Sequence, residues 1–183
     1  MTIKRTLIFI TLLIISGVLT CGFLLSTMEE KNFEKRLFEL GDDSNSPACL
    51  QMYNLIEKKS DENNIPKYIL YNVAWLETRY CGPFDWSYNP YQTSFAGAQG
   101  PMQIITRYAH KYAGHHVTAK ELRTDLELNI DVSCSMLKNL YKTYGRWDLA
   151  LGYYNTGYPQ VNDYAAYGFS NKNYKIKWIK PKF

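Results

Sequence analysis

The 183-residue sequence predicts a small, mostly helical domain behind an apolar N-terminal segment. Three observations carry that prediction. Apolar residues recur at helical spacing in several stretches, and no stretch shows the two-residue alternation of a strand. The longest irregular stretch, residues 81–101, is rich in Gly, Pro, Asn and Ser and reads as loop. A body of about 140 residues buries roughly two-thirds of its unfolded surface, enough to fold without a metal or a disulfide.

In chain order, residues 6–28 carry no charge, and residues 6–25 are mostly apolar, the length a helix needs to cross a bilayer core of roughly 30 Å. Lys4 and Arg5 precede this segment while Glu29 and Glu30 follow it, which places the N-terminus in the cytoplasm and the body outside. A cleaved signal peptide is the rival reading, but no small-x-small processing site is evident. Cys21 sits where a lipoprotein would be processed, yet Thr20 is a poor residue before it. Residues 32–40 have helical spacing and lead into a turn-rich stretch at 41–47 that reads as a linker. Helices are expected over residues 49–59, 66–78, 102–112, 126–144 and 147–154, with Asn63, Asn64 and Pro66 starting the second of these. The boundaries are therefore 1–28 for the anchor, 29–47 for the linker with a short helix, 48–170 for the helical body and 171–183 for a basic tail.

The charge pattern narrows the function. Residues 29–170 hold 14 basic and 17 acidic side chains, so the body is nearly neutral and a broad nucleic-acid surface is not expected. The tail adds Lys172, Lys175, Lys177, Lys180 and Lys182 without an acid and reads as a solvated end; attraction to an anionic polymer or lipid surface is the sharper alternative. Export would allow disulfides, but Cys49, Cys81 and Cys134 permit at most one internal bridge among three pairings. With no CxxC or Cys/His spacing, neither a metal nor a cofactor is expected, and His110, His115 and His116 read as surface residues. Sixteen tyrosines supply flat amphipathic surfaces suited equally to packing and to sugar binding.

The residue with most chemistry is Glu77. Leu70, Ala74 and Glu77 fall at i, i+4 and i+7, so this acid shares an apolar helix face near the helix C-terminus. Desolvation and the negative end of the helix dipole both raise its pKa, and a proton held near neutral pH is what a general acid needs. The plainer reading is a surface residue paired with Arg79 or a lysine. Downstream, Gly97, Ala98 and Gly100 remove side chains so that a polymer can approach the backbone, and Gln103 offers an amide. Tyr153 or Tyr154 could hydrogen-bond a carboxyl, and Asn155 could contact a sugar N-acetyl or hydroxyl. Residues 86–120 contain no Asp or Glu, and Asp85 is the one nearby second carboxylate; its neighbour Trp86 suggests a packed turn instead.

Together, Glu77-Thr78, the run Gly97-Ala98-Gln99-Gly100-Pro101-Met102-Gln103, Asn129-Ile130 and Tyr153-Tyr154-Asn155-Thr156-Gly157 resemble the lytic transglycosylase family with the goose-lysozyme-like catalytic domain. That family carries Glu-Ser, Gly-Ala-x-Gly-Leu-Met-Gln, Asn-Ile and Ala-Tyr-Asn-Ala-Gly in this order. Thr78 keeps the hydroxyl, Pro101 stiffens the loop, and Tyr153 and Thr156 replace alanines and reshape the groove. The resemblance implies an all-α, lysozyme-like fold and cleavage of the β-1,4 bond between N-acetylmuramic acid and N-acetylglucosamine in peptidoglycan, leaving a 1,6-anhydro ring. It assigns catalysis to Glu77 and Tyr154, with Tyr154 orienting Glu77. It assigns substrate binding to Ser94, Gly97, Ala98, Gln99, Met102, Gln103 and Asn155. It also implies a Cys49–Cys134 disulfide, by likeness to small secretion-associated members. The expected partners are peptidoglycan glycan strands, the inner membrane through the N-terminal helix, and a secretion or phage entry machine, with no nucleic acid. A hydrolytic muramidase on the same scaffold and a catalytically silent peptidoglycan-binding protein are the alternatives.

Overall fold

A computed structural model describes residues 27–28, 31–41 and 45–178. The expected membrane segment lies outside these residues; among those described, no helix is long and apolar enough to cross a membrane. The chain divides into two units, residues 1–39 and residues 40–183. The described part of the first, residues 27–28 and 31–39, is helical.

The second unit is helical apart from one very short hairpin. Its elements are α1 (Ala48–Asn63), α2 (Lys67–Thr78), β1 (Ala98–Gln99), β2 (Ile104–Ile105), α3 (Thr106–Ala113), α4 (Ala119–Thr124), α5 (Leu126–Tyr144), α6 (Trp147–Thr156) and α7 (Asp163–Ser170), followed by a 3-10 turn over Tyr174–Lys177. α5 packs against α1, α3, α4 and α6, while α7 lies on α6 and α2. Ile56, Ile69, Met102, Leu122, Ile130 and Leu137 are fully buried and come from five different segments, so burial at α5 holds the unit together.

Several expectations meet a correction here. Asn64 and Pro66 serve different helices: Asn64 (φ 54°) is the left-handed cap that ends α1, and Pro66 is the N-cap of α2. The helix expected from residue 102 begins only at Thr106, because Gln103 takes a positive φ of 50° and Ile104–Ile105 pairs with Ala98–Gln99. α4 and α7 were not expected. Each is announced by a polar cap, a Thr118–Glu121 capping box for α4 and the Asn162 side chain accepting the Ala165 N–H for α7.

Two aromatic side chains hold the start of the tail, and the cysteines differ from expectation. In the 3-10 turn and just after it, Tyr174 is stacked on Tyr71 at 4.3 Å and the Trp178 ring is edge-on to Tyr53 at 5.6 Å, while Lys172 and Lys175 are exposed. No disulfide joins Cys49, Cys81 and Cys134 to one another. Cys49 lies in the first turn of α1, whereas the charges around Cys134 include Lys59 and Glu62 at the other end of that helix. Ten residues of helix separate Cys49 from Lys59, about 15 Å, and a disulfide needs Cα atoms within about 7 Å.

Candidate active site

Glu77 is the penultimate residue of α2. The helix stops just beyond it because Arg79 adopts the left-handed conformation (φ 63°), and the N–H groups of Arg79 and Tyr80 turn back to the carbonyls of Trp75 and Ala74. The next residue, Thr78, is buried and ties this helix end to the loop. Its hydroxyl bonds to the Pro101 carbonyl at 2.9 Å and to the Tyr88 hydroxyl at 2.9 Å.

A cleft of about 740 Å³ opens over Glu77. Of the residues expected at the site, Glu77, Ser94, Ala98, Gln103, Tyr154 and Asn155 line it together. Gly97, Gln99 and Met102 do not. Gly97 sits exposed in the turn just before β1, its N–H donating to the Ser94 carbonyl. Gln99 is buried, with its amide held by the Thr93 hydroxyl and the Gly97 carbonyl. Met102 is fully buried in the core.

The organiser of this loop is Asn129, the first residue of the Asn-Ile motif. It is fully buried, accepts the Met102 N–H at 2.9 Å, and donates to the carbonyls of Gln99 at 2.9 Å and Leu122 at 2.8 Å. Gly100, expected to open the loop to a ligand, instead faces this side chain. A Cβ there would come within 2.3 Å of the Leu122 carbonyl oxygen and 2.5 Å of Asn129 Nδ2. Glycine at 100 therefore serves interior packing, whereas a Cβ at Gly97 would meet open space.

The hydroxyl on Glu77 comes from Tyr164, which donates to Oε1 at 2.7 Å. Tyr154, expected in that place, donates to the Met102 carbonyl at 2.7 Å. With its one proton used, it accepts from the Ser133 hydroxyl at 3.0 Å. Tyr154 thus braces the loop from α6 while Tyr164 orients the acid from α7. Tyr164 was missed because α7 was missed; the Asn162 cap was the signal that a helix restarts there. Burial holds both phenols protonated, well above the usual tyrosine range, and the charge of Glu77 adds to the effect.

Burial raises the Glu77 pKa to about 7, against the opposing effect of the Tyr164 hydrogen bond. No other acid lines the cleft among the described residues. Asp85 is not part of the lining; its carboxylate accepts from the backbone N–H and hydroxyl of Ser87, in a turn whose Trp86 is exposed rather than packed as the sequence suggested. The site can therefore hold one proton near neutral pH on one carboxyl, beside amide and hydroxyl groups suited to a sugar polymer.

Comparison with known proteins agrees with this geometry. The family model described as the transglycosylase SLT domain matches residues 54–177, which contain Glu77, the loop, Asn129, Tyr154 and Tyr164. No curated protein and no solved structure gave a match. On the extent of that match, the chain belongs to the transglycosylase SLT family, whose members are lytic transglycosylases acting on peptidoglycan.

Proposed function

We propose that this chain is a peptidoglycan lytic transglycosylase in which Glu77 is the sole general acid and base. The observation that carries the reading is a single carboxyl in the cleft, buried enough to hold its proton to about pH 7. Glu77 protonates the glycosidic oxygen between N-acetylmuramic acid and N-acetylglucosamine, and the C1–O bond breaks as an oxocarbenium-like centre forms. The resulting carboxylate takes the proton of the muramoyl C6 hydroxyl. O6 then closes on C1, giving the 1,6-anhydro ring without consuming water. An inverting hydrolase would need a second carboxylate about 6.5–9.5 Å away to activate water. Tyr164 fixes the carboxyl rotamer, and Ser94, Gln103 and Asn155 face the space where the glycan would lie.

The apolar, uncharged stretch at residues 6–25, with Lys4 and Arg5 before it, supports an anchor in the cytoplasmic membrane and a catalytic unit outside it. In that setting the enzyme would open the wall locally for a larger machine of secretion or phage entry. The test is Glu77→Gln on purified peptidoglycan. Cleavage should fall about a thousandfold or more with the fold intact by circular dichroism; a variant that keeps its activity defeats the reading.

A further inference from the structure

The cleft is electrically one-sided. On α3, Arg107 and Lys111 both line it, one helical turn apart on the same face. Each lies near the tyrosine that follows it, with the Arg107 guanidinium 4.7 Å from the Tyr108 ring centre and the Lys111 ammonium 5.3 Å from that of Tyr112. Neither cation forms an ion pair with a carboxylate among the described residues. The stretch from residue 86 to 120, which includes α3 and the loop before it, contains no acid at all. Glu77, the one carboxyl in the lining, is bonded to Tyr164 rather than to either cation.

Two unpaired cations in a groove whose lining holds a single acid are a standing attraction for anions. Placing both over tyrosine faces restricts their motion without neutralising them. An uncharged sugar polymer would make no use of that wall. A glycan strand bearing carboxylates would, and muramic acid offers them from two sources, the lactyl group of a strand without peptides and the stem peptides of an intact strand. We propose that Arg107 and Lys111 form a carboxylate-reading wall that makes the cleft select carboxylate-bearing muramoyl strands over uncharged β-1,4-linked N-acetylglucosamine polymers. This deepens the transglycosylase reading and rests on it for the identity of the glycan.

The experiment measures Kd for the full-length Glu77→Gln protein in neutral detergent, where strands bind without being consumed. Five probes are compared: soluble strands with stem peptides, amidase-stripped strands with free lactyl groups, each of these with its carboxylates converted to amides, and N-acetylglucosamine oligomers. At least one unmodified strand should bind about tenfold more tightly than its amidated form, a gap expected for two partly exposed ion pairs and one that shrinks with added salt. The strand that shows the gap names the source of the carboxylate. Adding Arg107→Gln and Lys111→Gln should erase the gap, and Arg107→Lys with Lys111→Arg should restore it. Equal binding of unmodified and amidated strands, N-acetylglucosamine oligomers binding as tightly as carboxylate strands, or a gap that survives the double glutamine variant would overturn the proposal. The products made by the wild-type enzyme test the transglycosylase reading separately, since the binding gap does not depend on cleavage.

Discussion

Residues 94–103 and residues 153–158 both supply walls of the cleft, and both are runs of small, amide and hydroxyl residues, yet they are built in opposite senses. In the first, Gln99 and Met102 are buried and Gly100 faces Asn129, leaving Ser94, Ala98 and Gln103 toward the cleft. In the second, every residue from Tyr153 to Tyr158 lines the cleft, and Asn155 keeps only a 3.2 Å contact with Asn162. The loop is thus a scaffold with a few side chains facing outward, and the end of α6 is a surface. The difference arises from neighbours. Asn129 on α5 and Thr78 on α2 together bond to the backbone of Gln99, Pro101 and Met102, whereas Asn155, Thr156, Gly157 and Tyr158 at the end of α6 are exposed.

The sharpest way to break this comparison is to add one methyl group to each of two glycines. Gly100→Ala puts a Cβ into the Leu122 carbonyl at a φ of +73°, and should destabilise the fold by about 3 kcal/mol in urea denaturation. Gly97→Ala carries only the left-handed backbone penalty in open space, about 1 kcal/mol. Equal losses at the two positions would mean the loop is not packed from within. A smaller effect separates the two tyrosines. The Tyr164 hydrogen bond lowers the Glu77 pKa, so Tyr164→Phe should raise it further above its ordinary value. Because the acid must start protonated, wild-type activity is full below about pH 7 and falls above it. In Tyr164→Phe this falling limb should move to higher pH, and Tyr154→Phe should cost stability through Met102 without that displacement. A limb that moves with Tyr154 instead would reverse the assignment of the two hydroxyls.

The sequence was informative where local signals and tertiary packing agree. α5 runs over Leu126–Tyr144 as its apolar spacing predicts, and α2 ends at Thr78 with Glu77 on the expected turn. It was uninformative where a segment is too short for periodicity. The two-residue strands carry no pattern to read, and α4 and α7, six and eight residues long, show themselves mainly through their caps. The roles of the loop residues were hidden for a different reason. Gly97 and Gly100 both need positive φ, and nothing local says which one will face a buried asparagine. The single acid of the cleft was legible from the carboxylate-free stretch after Asp85, but its partner Tyr164, 87 positions away in sequence, was not.

The central claim is that one carboxyl serves both steps and water takes no part. Digesting peptidoglycan with the wild-type enzyme in water enriched in heavy oxygen, and weighing the released muropeptides, tests it most directly. The account predicts 1,6-anhydro-muramoyl ends that carry no label. Reducing ends that carry one heavy oxygen each would show attack by water and contradict it.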